Sequence, residues 1–203
     1  MMGRTTTVVA ANALLVSLLI ACRATNVGSG YSLDPGQSTG LAVVSLTTSG
    51  LPRRFNMFLN IRGVGVDYKG SLPVTDLFAS ADWRRPLFGT ATVEDPCGRL
   101  AVIELRQGEY EFYSWQGGTG SAPGSRGGVR STDGFSKRFR VLASQAVYIG
   151  NIHFSIEPSR FLTGQGTGTM TISDRRGRDL PLLHAKHPSV TPDRVVVSVL
   201  ADR

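Results

Sequence analysis

Along most of the chain, apolar and polar residues alternate in short runs separated by glycine, proline and aspartate. In Phe135-Ser136-Lys137-Arg138-Phe139-Arg140-Val141, the apolar Phe135, Phe139 and Val141 fall on one side of an extended chain, and Ser136, Arg138 and Arg140 on the other. Tyr110 and Phe112 oppose Glu109 and Glu111 in the same way. A period of two is the mark of a strand with one buried and one wet face. Stretches rich in β-branched and aromatic residues extend the pattern over 41–46, 55–61, 88–93, 100–105, 109–115, 135–142, 146–156, 167–172 and 195–200. Short one-sided strands with Gly and Pro between them predict a mainly β protein, an antiparallel β-sandwich.

Some links carry predictions of their own. Arg106-Gln107-Gly108 reads as a hairpin turn between 100–105 and 109–115, and residues 139–151 read as a second hairpin. Residues 116–134 hold Gly117, Gly118, Gly120, Gly124, Gly127 and Gly128 and read as a disordered Gly-rich loop. One stretch has helical spacing: Leu180, Leu183 and His187 fall on one side of a helix over 178–187, stopped by Pro188. Ser173, Asp174 or Asp179 would cap its start, with Pro181 in the first turn. This short C-terminal helix is expected against an edge or end of the sandwich.

Ahead of the strands the pattern changes. Residues 8–21 are apolar except for Asn12 and Ser17, Arg4 precedes them, and polar residues follow from Arg23. That is the order of a signal peptide. The run is shorter than the roughly 20 apolar residues of a spanning helix. It closes on Leu19-Ile20-Ala21-Cys22, which resembles the lipobox of bacterial lipoproteins. The resemblance implies that residues 1–21 are a signal peptide removed on export, that the Cys22 thiol carries a diacylglycerol, and that the new amino terminus is acylated by a fatty acid such as palmitate. At about 0.8 kcal/mol per buried CH₂, two or more chains anchor a protein persistently. In that family an Asp after the cysteine favours the inner membrane. Arg23 stands there instead, so the resemblance implies the outer membrane, facing the periplasm. Residues 22–39 then form the lipidated N-terminus and a flexible tether, whose roughly 16 free residues would span on the order of 20–24 Å as a coil. Residues 40–203 form one domain.

Within that domain, the pattern apolar-x-Leu-x-x-Gly-x-Tyr-x-Phe over residues 103–112 resembles strands of the prealbumin-like, or carboxypeptidase-regulatory-like, β-sandwiches. The resemblance covers residues 41–156, including the segment 139–151. It implies an immunoglobulin- or prealbumin-like sandwich of an envelope lipoprotein and assigns no activity.

Length, charge and cysteines narrow the picture further. A chain of 203 residues suffices for one sizeable core. The net charge of +7 with a pI near 10.0 would suit a polyanion if the charges were clustered. They are scattered, the densest groups being Arg84-Arg85, 137–140 and 175–178, so the expectation is a solvated basic face and no nucleic-acid partner. Loss of Arg4 with the signal peptide lowers the charge from +7 to +6. With Cys22 lipidated, Cys97 has no partner in its own chain. It lies in the turn-like Glu94-Asp95-Pro96-Cys97-Gly98, whose acidic neighbours disfavour a reactive thiolate.

Candidate chemistry is sparse. Gly36-Gln37-Ser38-Thr39-Gly40 matches the G-x-S-x-G nucleophile elbow in letters, but Pro35 precedes it and a strand follows, where the elbow needs a strand before and a helix after. His184 and His187 stand three apart on the expected helix, candidates for one metal. His153 alternates with Ile152 and Phe154 and so occupies the opposite face. Tyr113 and Trp115 share a face of their strand and are the candidate binding aromatics, for a sugar ring or a partner's pocket. No cofactor motif is present. The expected function is a lipid-anchored binding or structural module, not an enzyme, held to the membrane by Cys22 and meeting another envelope protein or cell-wall glycan. The alternative is a periplasmic hydrolase or metal-binding carrier using His153 or His184 and His187.

Overall fold

The alternating stretches fold into strands in two stacked sheets, with one helix against the outer face of one of them. The structure is a computed structural model and describes residues 26–49, 55–74, 82–83, 97–119, 129–131, 134–156 and 168–201. The expected strand at 88–93 lies outside the described residues. In chain order the elements are β1 (Thr39–Ser49), β2 (Phe55–Val64), β3 (Lys69–Pro73), β4 (Cys97–Arg106), β5 (Gly108–Thr119), β6 (Val129–Arg130), β7 (Lys137–Val141), β8 (Ala146–Ile156), β9 (Gly168–Ser173), α1 (Arg176–Lys186) and β10 (Val195–Val197).

The front sheet has the order β3-β2-β5, with β6 and β7 end to end along the far side of β5. The back sheet repeats this plan. Its order is β4-β1-β8, with β9 and β10 end to end along β8. Among the described residues the molecule is a mainly β sandwich with one short α-helix. Most pairings are antiparallel, but β8 runs parallel to β1 and to β10.

Neither expected hairpin forms. β4 pairs with β1 in the back sheet and β5 with β2 in the front sheet, so Gln107 turns a corner between sheets. β7 and β8 are likewise split across residues 142–145. A short polar turn is compatible with a hairpin or a corner; the long ladders offered by β1 and β2 decide the outcome. Both corners are stitched to the start of β1, by Gln107 N donating to Ser38 O (2.7 Å) and Ser144 N donating to Thr39 O (2.8 Å). Because β8 arrives around a corner, its direction is not forced to oppose that of β1.

The inner faces meet in the main core, including Val44, Leu46, Leu59, Ile61, Phe112, Phe139 and Phe154. A second cluster lies on the outer face of the back sheet, where Leu41, Val43, Leu100, Val102 and Tyr148 are covered by Leu183 of α1, Val190 and Leu33. Full burial of one such leucine contributes about 1.5–3 kcal/mol. The helix therefore lies across a sheet face, where an edge or end was expected. It begins at Arg176, so Pro181 sits inside it and not in the first turn. Arg175 is the N-cap residue and makes no side-chain capping bond, but Asp174 just before it accepts from the first helical amide, Arg176 N donating to its Oδ1 (3.0 Å).

Two expected loops are structured in part. Residues 116–119 continue β5 and pair with β2, and Gln116 and Gly117 pair with β6, whose Val129 is buried. The remainder of the Gly-rich stretch, 120–128, lies outside the described residues. Residues 26–38, expected to belong to a flexible tether, instead dock on the back sheet: Leu33 is buried, and Arg194 Nη1 donates to Leu33 O (2.6 Å).

Candidate functional site

Odd-numbered residues of β1 face outward from the back sheet. They are apolar at Leu41 and Val43 under the helix, then become Ser45, Thr47 and Ser49. The partner strand matches this switch through a bulge. Val43 pairs with Tyr148, but Ser45 pairs with Asn151, so β8 holds one extra residue there. Gly150 takes a φ of +104° at this point, a value that suits glycine, and a Cβ there would meet Val199 Cγ1 at 3.1 Å and Ser173 O at 3.2 Å. Before the bulge Val147 and Ile149 point to the core; after it Ile152 and Phe154 do. The bulge thus turns Asn151, His153 and Ser155 outward beside the hydroxyls of β1.

Register with β9 completes three rows: Ser45, Asn151 and Ser173; Thr47, His153 and Thr171; Ser49, Ser155 and Thr169. Ser45, Thr47, Ser49, Asn151 and His153 are buried, whereas Thr169 and Thr171 are exposed. Buried polar groups are costly without partners. Here they bond to one another and to α1. Asp179 Oδ2 accepts from Ser45 Oγ (2.6 Å) and Tyr148 Oη (2.7 Å), and its Oδ1 accepts from Arg178 Nε (2.7 Å). Arg178 Nη2 reaches Ser45 Oγ (3.1 Å) and Asn151 Oδ1 (3.0 Å), and its guanidinium lies 4.0 Å from the Trp83 ring centroid. Burial, followed by the bond to Asp179, drives the Tyr148 phenol far above its ordinary pKa, so it remains a donor.

Proton counting extends the chain of bonds. Ser45 gives its one proton to the carboxylate, leaving Asn151 Oδ1 to accept from Arg178 and from Thr47 Oγ1 (3.1 Å). Thr47 then accepts from His153 Nδ1 (2.9 Å), which leaves Nε2 as acceptor for Ser49 Oγ (3.0 Å). Burial, and then the charges of Arg175 and Arg178, hold the His153 pKa below its ordinary value, so the imidazole is neutral near pH 7. Ser49 and His153 have the spacing of a nucleophile and a base. The third position holds the Thr47 hydroxyl in place of a carboxylate, and both arginines disfavour a protonated ring. This arrangement fixes side chains better than it moves protons.

The other candidates separate. A bulge in β5, between the Asn60–Ser114 and Ile61–Phe112 pairs, puts Tyr113 out of phase with its neighbours. Trp115 is consequently core, edge-on to Phe154 at 5.4 Å between centroids, and does not share a face with Tyr113. Tyr113 is half-buried beneath two cations, Arg62 at 5.1 Å and Lys69 at 5.9 Å from its ring centroid. His184 Nδ1 bonds to Val190 O (2.7 Å), while His187 is buried at the C-terminal end of the helix, its pKa lowered by that burial. Among the described residues no group of three or more His, Cys, Asp or Glu could hold a metal. Cys97 is a half-buried free thiol at the start of β4.

The sequence reading placed His153 on the correct face but missed Ser45, Thr47, Ser49, Asn151, Arg178 and Asp179. Two signals pointed to them: the change from Leu and Val to Ser and Thr at every second position of β1, and Asp179 on the same helical face as Leu183 and His187. Compared with known proteins, the chain matches no family model, no curated protein and no solved structure at a significant level.

Proposed function

We propose that this chain is a lipid-anchored lipoprotein of the bacterial envelope, cut before Cys22 and held at the outer membrane facing the periplasm. Its sandwich acts as a binding or structural module toward another envelope protein or cell-wall glycan, without cofactor or catalysis. The observation that carries this reading is the position of Leu19-Ile20-Ala21-Cys22 at the close of an apolar run. Support for a non-catalytic role comes from the buried polar rows, whose bonds link them to one another and to α1. An intact-mass spectrum of protein purified from bacterial membranes tests it. A mass lacking residues 1–21 and carrying a diacylglycerol and a fatty acyl chain, both lost in Cys22→Ala, is expected; an unmodified chain would overturn the anchor.

The Ser49–His153 distance of 3.0 Å favours a second reading, a serine hydrolase. Labelling by a fluorophosphonate probe that disappears in both Ser49→Ala and His153→Gln would establish it. An unlabelled wild-type chain would remove it.

A further inference from the structure

We infer that the outer edge of β4 is the face this domain turns to the membrane, and that the domain rides on the phospholipid surface instead of swinging on a long tether. The inference rests on the anchor at Cys22 proposed above; what is new is the short link and the orientation it imposes. β4 is the edge strand of the back sheet, and an unpaired edge would leave a row of amides and carbonyls open. From Gly98 to Val102 that row is closed by residues from elsewhere in the chain. Gly98 exchanges both backbone bonds with Trp83, and Leu100 N donates to Asp82 Oδ2 (2.7 Å). Asn26 closes the remainder: its Nδ2 donates to Leu100 O (3.3 Å), its Oδ1 accepts from Val102 N (3.0 Å), and the next residue, Val27, donates its N–H to Val102 O (2.9 Å).

Asn26 is thereby pinned, and the chain following it stays pinned. Ser189 Oγ bonds to Tyr31 O, Leu33 is buried, and Ser144 Oγ donates to Asp34 O (2.9 Å). Only Arg23, Ala24 and Thr25 separate Cys22 from Asn26. Four Cα-to-Cα steps reach at most about 14 Å, whereas a domain of this size has a radius of gyration of about 16 Å. A link shorter than the domain's own radius holds the attachment edge at the bilayer and the opposite edge, at β9, away from it. Charge fits the same partner: Arg23 lies in the link and suits lipid phosphates.

The test uses the lipidated full chain in vesicles of phosphatidylethanolamine and phosphatidylglycerol bearing a headgroup acceptor dye. Cys97→Ser leaves new cysteines as the only labelled thiols. One is Gly28→Cys, exposed and with open space where its Cβ would sit; the other is Thr171→Cys, exposed on β9 at the opposite edge. Energy transfer from position 28 should be several-fold stronger than from position 171. The difference should vanish when a Gly/Ser spacer of about 15 residues, spanning on the order of 20 Å, is inserted after Arg23. Equal transfer from both labels in a chain that floats with the vesicles overturns the inference and leaves the anchor standing. A chain that does not float with them overturns the anchor and the inference together.

Discussion

The outer faces of the two sheets both carry charged pairs, in opposite settings. On the front sheet, Arg62 bridges Glu111 (2.6 Å) and covers Tyr113, with more than half of the arginine side chain in water. On the back sheet, Arg178 bridges Asp179 (2.7 Å) and covers Trp83, with the carboxylate fully buried. The residue types and distances are nearly the same, but solvent separates the two. In the front pair Glu111 is itself buried, but the Arg62 guanidinium stays in water, so the pair is partly screened and its loss strands no buried cation. The buried pair, with Ser45, Tyr148 and Asn151 bonded around it, becomes the fastening of α1 to the sheet, and losing either partner leaves a charge stranded.

Breaking the buried side should produce the largest effect. Asp179→Ala strands Arg178 and removes acceptors from Ser45 and Tyr148, with an expected loss of about 3–5 kcal/mol in urea unfolding. Trp115→Ala, which empties a core position against Phe154, should cost a comparable 3–5 kcal/mol or so, whereas Tyr113→Ala, two residues away on the other face, should cost less than about 1 kcal/mol. Equal losses from these two variants would refute the β5 bulge. Gly150→Ala forces an alanine to a positive φ at the β8 bulge and should cost about 1–3 kcal/mol, with chemical-shift changes centred on Asn151 and His153 in NMR spectra.

Smaller effects sharpen the contrast through pH and salt. His153 and His187 have folded pKa values below the ordinary 6.5 or so, so the unfolded chain binds more protons as pH falls below that value. Stability is therefore full above about pH 6.5 and declines below it, by at most about 1.4 kcal/mol per pH unit per histidine. His153→Gln should flatten the slope measured in urea titrations across pH 5–7. On the front face the sign is reversed in mechanism though not in direction. A hydrogen bond from Ser136, and then Arg62, lowers the Glu111 pKa, so its contribution is present above the ordinary glutamate value and is lost as pH falls through the folded one. Glu111→Gln should cost no more than about 1 kcal/mol, and less in 1 M salt. A cost equal to that of Asp179→Ala would erase the distinction between the faces.

Strands were legible wherever apolar residues alternate, because period-two patterning reports burial of one face directly. Positions 55–61, 100–105 and 146–156 all fall in strands. β3 and β6 were not legible: Lys69–Pro73 is short and ends in proline, and Val129–Arg130 has only two residues, so neither contains a full alternation. The site was hardest to read. Ser45, Thr47 and Ser49 resemble any solvated strand face, and Arg178-Asp179 resembles any helix surface. Their importance comes from meeting across gaps of more than 100 residues.

By itself the sequence determined the β class, the position of most strands, the helix before Pro188, and the outward facing of His153 from Ile152 and Phe154. These follow from local periodicity and backbone chemistry, which act over a few residues. Only the tertiary structure decided which short turns are corners, where bulges reverse a strand's phase, that residues 26–38 dock on the back sheet, and that Asp179 is buried. Each of these depends on which distant ladder or cavity accepts a group, and the free energy of that choice resides in the partner and not in the local sequence.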